Sequence, residues 1–229
     1  MKGPTEGAVS GRRSRDRART DVPRWLVVAR EAKGFMPDEE GLALYRTGLA
    51  AGRSATGPFL EIGTYCAKSA VYLGAAARET GSVLFSVDHH RGSLELQAGW
   101  AHHDPEVVDR ATGRMDTLPW ARRTLEEAGL EAHVVLVVGE SATVALSWQA
   151  PLSLLFIDGG HGEEVARADY GSWVPKLAIG GTLAIHDVFA GPADGGQVPY
   201  QLYEAALGSG QFRQLASVGS LRTLLRLSA

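Results

Sequence analysis

Short, almost wholly apolar runs alternate along this chain with stretches in which apolar side chains recur every three or four positions. The first pattern suits strands buried on both faces, the second amphipathic helices. Strands are expected at 59–62, 83–88, 133–138, 152–157 and 181–185, and a closing hairpin at 212–218 and 221–227 turns around Gly219-Ser220. Helices are expected at 68–79, at 118–128 with Gly129 as the stop, at 141–148 with Ser141 as N-cap, at 163–176 and at 199–207. Ahead of these, Leu42, Leu44, Tyr45 and Leu49 form a helical stripe. Its first turn carries Asp38, Glu39 and Glu40, where carboxylates suit a helix N-terminus, and Gly52 is the expected stop. Strands alternating with helices predict an α/β fold, a doubly wound, mostly parallel sheet with helices on both faces. The terminal hairpin makes at least one strand antiparallel.

Composition narrows the class. The 229 residues suit one domain with a tail, and 45% hydrophobic with 21% charged residues excludes a wholly disordered or collagen-like chain. Residues 1–20 have no apolar periodicity and read as a disordered basic tail. Residues 21–229 read as a single domain, with 21–55 an N-terminal helical segment in which an apolar helix such as 38–52 could pair between subunits of a homo-oligomer. One cysteine, Cys66, excludes an internal disulfide and a cysteine-based zinc cluster. No apolar run approaches the roughly 18 residues that span a bilayer, so no membrane is expected. Arg12-Arg13 invites an export reading, but only the short run from Trp25 to Ala29 follows it, so the expected compartment is the cytoplasm. The net charge of −3 divides into +4 over residues 1–19 and −7 over the rest, an acidic body that argues against a nucleic-acid partner.

Ligands of open parallel sheets bind at the carboxyl ends of the strands. Polar residues collect there: Glu61 and Gly63 after the first strand, Asp88-His89-His90 after the second, Gly139-Glu140-Ser141 after the third, Asp158-Gly-Gly-His161 after the fourth and His186-Asp187 after the fifth. Turn formation explains any one of them, but explains five together poorly. The first loop, Glu61 to Ser69, holds only Gly63 where a dinucleotide site wants three glycines, and Ala67 stands at the later position. A ligand without phosphates needs less glycine. S-adenosylmethionine is such a ligand, and its sulfonium suits an acidic strand end such as Glu61. Asp88 is placed to accept from two ribose hydroxyls. Asp158 and Asp187, on neighbouring strand ends, could share a divalent cation with His186 or His161 nearby. Two hard carboxylates favour Mg²⁺, whereas a histidine ligand favours Mn²⁺, Fe²⁺ or Zn²⁺.

From Phe59 to about Leu207 the chain resembles a class I S-adenosylmethionine-dependent methyltransferase, nearest to bacterial small-molecule O-methyltransferases. Glu61-Ile-Gly63 and Ser69 match that group's short first loop, and Ala67 departs from its second glycine. Phe156-Ile-Asp158-Gly-Gly-His161 resembles its I-D-G-x-H signature, and Gly180-Gly181 with Ile185-His186-Asp187 resembles its later H-D signature. The resemblance implies a Rossmann-like, seven-stranded sheet and a small hydroxylated molecule as methyl acceptor. It implies donor binding by Glu61, Gly63, Tyr65, Ser69, Asp88, Ser141 and Asp158, with Asp158 and Asp187 as metal ligands. His186 then stands where some relatives have an acidic ligand, and His161 is the base.

The charge balance of methyl transfer agrees with this. A sulfonium loses its charge while an oxygen nucleophile loses a proton, so a cation and a base on one site would activate a hydroxyl at neutral pH. The rival readings are an NAD-dependent oxidoreductase, a metal-dependent hydroxylase or hydrolase on the same scaffold, and a non-catalytic adenosylmethionine-binding module. The histidine-rich segment 89–116 has no metal-ligand spacing and reads as a lid loop. Asp194 to Gln197 and Tyr200 are candidates for the facing wall. Cys66 has no partner base in sequence and is expected to be a small buried hydrophobe.

Overall fold

The structure, a computed structural model, describes residues 22–55, 57–93, 96–100, 102–160 and 162–229. The tail expected to be disordered lies outside the described residues. In chain order the elements begin with α1 (Arg24–Glu31), α2 (Asp38–Ser54), β1 (Phe59–Ile62), α3 (Lys68–Thr80) and β2 (Leu84–Asp88). The long connection that follows holds a two-stranded ribbon, β3 (Val108–Asp109) and β4 (Arg114–Met115). Then come α4 (Leu118–Ala128), β5 (Val134–Val138), α5 (Ser141–Ser147), β6 (Leu152–Ile157), α6 (Glu163–Trp173), β7 (Leu177–Ile185), α7 (Val198–Gly208), β8 (Phe212–Val218) and β9 (Leu221–Arg226).

The main sheet has seven strands in the order β5-β2-β1-β6-β7-β9-β8. The first five run parallel, and β9 lies antiparallel between β7 and β8. This is the expected doubly wound architecture. The strand order reverses between β1 and β6, which puts the ligand crevice at their carboxyl ends.

The period of two along the strands divides the interior. Phe59, Leu154 and Phe156 face the layer of α1 to α4, where Leu44, Tyr72, Leu73 and Leu125 are buried. Leu60, Leu155 and Ile157 face the layer of α5 to α7 around Trp173, Ile185 and Leu202. With both faces covered, alternation becomes a choice between two cores rather than between core and water, and the strands read as continuous apolar runs.

Several boundaries differ from the sequence expectation. Helix α2 runs past Gly52, because that glycine serves packing rather than termination. Gly41, Gly48 and Gly52 face Tyr72, Ala76 and Thr80 of α3, and a Cβ on Gly48 would sit 2.7 Å from that of Ala76. The glycine face of 38–52 is therefore occupied by α3 within the same chain. Helix α1, inside the segment 21–55 expected to be helical but without bounds of its own, buries only Trp25 and Ala29, with Trp25 packed 4.8 Å from Tyr45 and 6.0 Å from Tyr72. Two buried positions leave too little periodicity to read. Strand β7 begins at Leu177, ahead of the two glycines, because Gly180 and Gly181 form an irregularity inside the strand where the register with β6 shifts. Pro175 ends α6 early, in a single 3₁₀ turn over Val174–Lys176.

Candidate active site

A cleft of about 640 Å³ opens at the carboxyl ends of the parallel strands. Gly63, Asp88, Ser141, Asp158, His186 and Asp187, drawn from five different strand ends, all line it. Tyr65 and Ser69 join them from the first loop. His161 lies outside the described residues.

The first loop is tightly wound. Gly63, Tyr65 and Ala67 all have positive φ, +94°, +46° and +71°. Gly63 is needed twice over. Its φ disfavours a side chain, and a Cβ there would run into the main chain of Asp158, so the loops after β1 and β6 touch. Ala67 caps α3 in the left-handed conformation. This is the position where the resembling group carries glycine. The requirement there is the backbone conformation, which alanine meets at a cost of about 1 kcal/mol.

Asp88 ties this loop to the next. Its Oδ2 accepts from the Tyr65 N–H at 2.8 Å and its Oδ1 from the His90 N–H at 2.7 Å. Asp88 lines the cleft, and each carboxylate oxygen can accept more than the one hydrogen bond named here. Tyr65 presents its ring to Phe35, 5.6 Å away, and burial pushes its phenol up to about 12.

Glu61 is not a lining residue. It is fully buried behind the wall, accepting hydrogen bonds from the Ser86 and Ser69 hydroxyls, while its Oε1 has no partner. Burial pushes its carboxyl up to about 8, against those hydroxyls and with help from Asp158 and Asp88. Glu61 thus stands behind Ser69, which does line the cleft.

Ser141 does not cap α5; Glu140 occupies that position. The Ser141 hydroxyl instead accepts from the Trp173 indole N–H at 2.7 Å and bonds Asp169, whose carboxyl is pushed up to about 6 by burial.

The group after β6 and β7 is the most connected. Asp158, His186 and Asp187 offer ligand atoms that all lie within 4.8 Å of one another. Nδ1 of His186 lies 3.0 Å from Oδ1 of Asp158 and 3.5 Å from Oδ2 of Asp187. Asp187 adopts φ +55°, which bends the strand end back. The other ring nitrogen, Nε2, lies 2.5 Å from Oε2 of Glu40 on α2. Burial alone would lower the pKa of His186, but the carboxylates of Asp158, Asp187 and Glu40 outweigh it and push it up to about 12. An imidazole held this way carries a proton on Nδ1 unless another cation stands in front of it. Glu40 was read from sequence only as a helix-start charge. Nothing local could have connected it to His186, 146 residues away.

The remaining expectations separate. From segment 89–116, His89, Gly92, Ser93, Leu96 and His102 line the cleft. Its histidines do not converge: His90 Nδ1 bonds Thr117, His103 Nδ1 bonds the Leu96 carbonyl, and His102 stands edge-on to Phe35. Lys33, between α1 and α2, ties to this segment through Asp104 and Glu106, each at 2.7 Å. Asp194 and Gly195 form part of the facing wall, whereas Tyr200 packs on Tyr203 in the core. Cys66 is buried and its thiol pushed up to about 12 by burial, so it stays protonated as a hydrophobe.

Known proteins agree with this arrangement. A family model described as a methyltransferase domain matches residues 60–188. Among solved structures, the O-methyltransferase TomG from Streptomyces achromogenes, involved in tomaymycin synthesis and solved with SAM, aligns with a TM-score of 0.59 at 18% identity, covering 89% of this chain and 88% of its own. The SAH-bound methyltransferase PaMTH1 of Podospora anserina aligns with a TM-score of 0.62 at 16% identity, covering 91% and 89%. An O-methyltransferase from Bacillus cereus, in complex with SAH, aligns with a TM-score of 0.58 at 15% identity, covering 88% and 87%. At these identities the structures speak for the fold, while the family model spans more than half of the chain and includes both the first loop and the His186-Asp187 strand end. This chain belongs to the methyltransferase domain family, and it is a methyltransferase of the class I, S-adenosylmethionine-dependent type that its first loop and strand-end signatures resemble.

Proposed function

We propose that this methyltransferase moves the methyl group of S-adenosylmethionine to a hydroxyl oxygen of a small molecule, with a divalent cation beside the acceptor. The observation that carries the reading is the convergence of Asp88, Ser69, Asp158, His186 and Asp187 on one cleft. Asp88 accepts from the ribose hydroxyls, the Gly63 loop lets the donor approach, and Tyr65, Ser69 and Ser141 complete its pocket. Glu61 acts behind Ser69 by holding that hydroxyl, and the Ser86 hydroxyl, in place.

The residues present fit a divalent ion. Asp158, Asp187 and Nδ1 of His186 would hold it, two oxygens and one nitrogen, and Nε2 already has the carboxylate partner that metal-bound imidazoles usually have. Such a set suits Mn²⁺ or Fe²⁺ as well as Mg²⁺. When bound, the ion supplies positive charge that stabilises the developing acceptor oxyanion. The chain's own part is to orient and to take the proton. The hydroxyl oxygen forms the new bond to the methyl carbon, the sulfur keeps the electrons of the breaking bond, and His161 accepts the hydroxyl proton. The cover from 89–116 excludes water from the reacting atoms. No described helix is long and apolar enough to cross a membrane, which fits a cytoplasmic enzyme meeting a diffusible acceptor.

Calorimetry tests the donor assignment directly. Adenosylmethionine should bind the full chain and NAD should not, and Asp88→Ala should weaken adenosylmethionine at least about tenfold, from two lost hydrogen bonds worth about 1 kcal/mol each. Tight NAD binding, or unchanged affinity in the variant, would refute it.

A further inference from the structure

Glu40 enters the reading above only as the partner of Nε2, yet among the described residues it is one of the most enclosed carboxylates. It comes from the first turn of α2, is 3% exposed, and sits between the end of β7 and the turn joining β8 to β9. One carboxylate oxygen accepts from the Ser220 main-chain N–H at 2.5 Å. The other accepts from Nε2 of His186 at 2.5 Å and from the Ser220 hydroxyl at 3.3 Å. Gly219, at φ +52°, leaves room for this carboxylate, which a side chain there would strike.

We propose that Glu40 is a positioning residue of the active site, which keeps the proton of His186 on Nε2 and so directs Nδ1 at Asp158 and Asp187 as a ligand nitrogen. The proposal rests on the reading of His186 as a metal ligand. Three elements distant in sequence are locked by one carboxylate. The Ser220 N–H fixes Glu40 by its first oxygen, so the second cannot swing away from the imidazole. An acceptor at Nε2 demands a hydrogen there, which makes the opposite nitrogen the one that meets a cation. The ring cannot flip without leaving a buried carboxylate oxygen facing an apolar edge, a costly exchange. The C-terminal hairpin, which otherwise does no chemistry, thus takes part in the site through its turn.

Glu40→Gln inverts this arrangement at constant size. The Ser220 N–H needs an acceptor, so the amide oxygen stays with it and the amide NH₂ faces Nε2. The imidazole must then accept at Nε2 and carry its hydrogen on Nδ1, against the two aspartates. Gly219→Ala disturbs the same carboxylate from the other side without altering its chemistry.

The test uses the full chain and two measurements. Mn²⁺ alone is titrated by the loss of its free EPR signal, with adenosylmethionine affinity measured in parallel. The proton resonances of the imidazole N–H groups are recorded on ¹⁵N-histidine-labelled protein, with His186 assigned by its disappearance in His186→Asn. The expected result is roughly a 10- to 100-fold weaker Mn²⁺ affinity in Glu40→Gln, the range for lost outer ligands. A smaller loss should follow in Gly219→Ala, with donor affinity unchanged in both. In the wild type, a strongly deshielded Nε2 proton of His186 is expected, and it should be lost in Glu40→Gln. Equal Mn²⁺ affinity in wild type and Glu40→Gln would overturn the proposal. If the wild type binds no Mn²⁺, the metal reading fails on its own, and the resonance decides the role of Glu40. Its presence in the wild type and loss in the variant support that role, and its absence from the wild type refutes it even if Glu40→Gln does not fold.

Discussion

Glu61→Gln isolates what burying a carboxyl beneath the donor loop does to this protein. Glu61 is fully buried, its Oε1 has no partner, and its pKa is raised from 4.5 to about 8 by desolvation. A carboxyl raised on folding binds its proton more tightly in the native than in the unfolded chain. Between about pH 4.5 and about pH 8 the native state therefore holds more protons, and stability falls as pH rises. The contribution is full below the unfolded value and gone above the folded one. At about 1.36 kcal/mol per pH unit, the interval bounds the loss at about 5 kcal/mol. Glutamine keeps the size and the acceptor oxygen but cannot ionise, so the variant should lack this slope. The assay is urea unfolding at a series of pH values from about 4.5 to about 8 on both proteins. Other groups contribute in that range: Asp169, raised to about 6 in the fold, and His186, whose ordinary value of 6.5 in the unfolded chain lies inside it although folding pushes it up to about 12. They do so in both proteins, so the difference between the two curves reports Glu61. The wild type should lose several kcal/mol relative to the variant across the interval. Parallel curves would mean that Glu61 is ionised in the folded state and that the burial argument is wrong.

Three further outcomes are expected. Ala67→Gly relieves a left-handed alanine at the start of α3, so it should raise the unfolding free energy by up to about 1 kcal/mol, read from the urea midpoint. Gly48→Leu forces a side chain into the contact between α2 and Ala76 of α3, and should destabilise by about 1–3 kcal/mol or more in the same assay. His161→Ala should lower the turnover of any accepted substrate by about 10²- to 10⁴-fold while leaving adenosylmethionine affinity intact in calorimetry; equal loss of both would assign His161 a structural role.

Much of the fold was legible because its signals are local. A run such as Leu152–Ile157 is fully buried, and its length and its bounding polar residues identify it without knowledge of its neighbours. The left-handed need at Ala67 was visible as a departure from glycine, though its reason lay in the backbone. Helix α1 shows the limit, since within the expected helical segment an eight-residue element with two buried positions carries too weak a period to mark its bounds. Gly52 and the Gly180-Gly181 pair misled for the same reason: a glycine marks a stop, a bulge or a close approach alike, and only the neighbour decides which.

The sequence by itself determined that strands and helices alternate, that acidic and histidine residues stand at the strand ends, and that the body carries the negative charge a cationic donor and a divalent ion would meet. These are properties of nearest neighbours along the chain and of turn chemistry. The tertiary structure decided which of those residues reach the cleft and which nitrogen of His186 faces it. Glu61 was moved behind the wall because β1 is covered on both faces, and Glu40 was brought to His186 across 146 residues. A carboxylate's role depends on what encloses it and what it touches. Enclosure is created only when distant segments pack, so no window along the chain contains it.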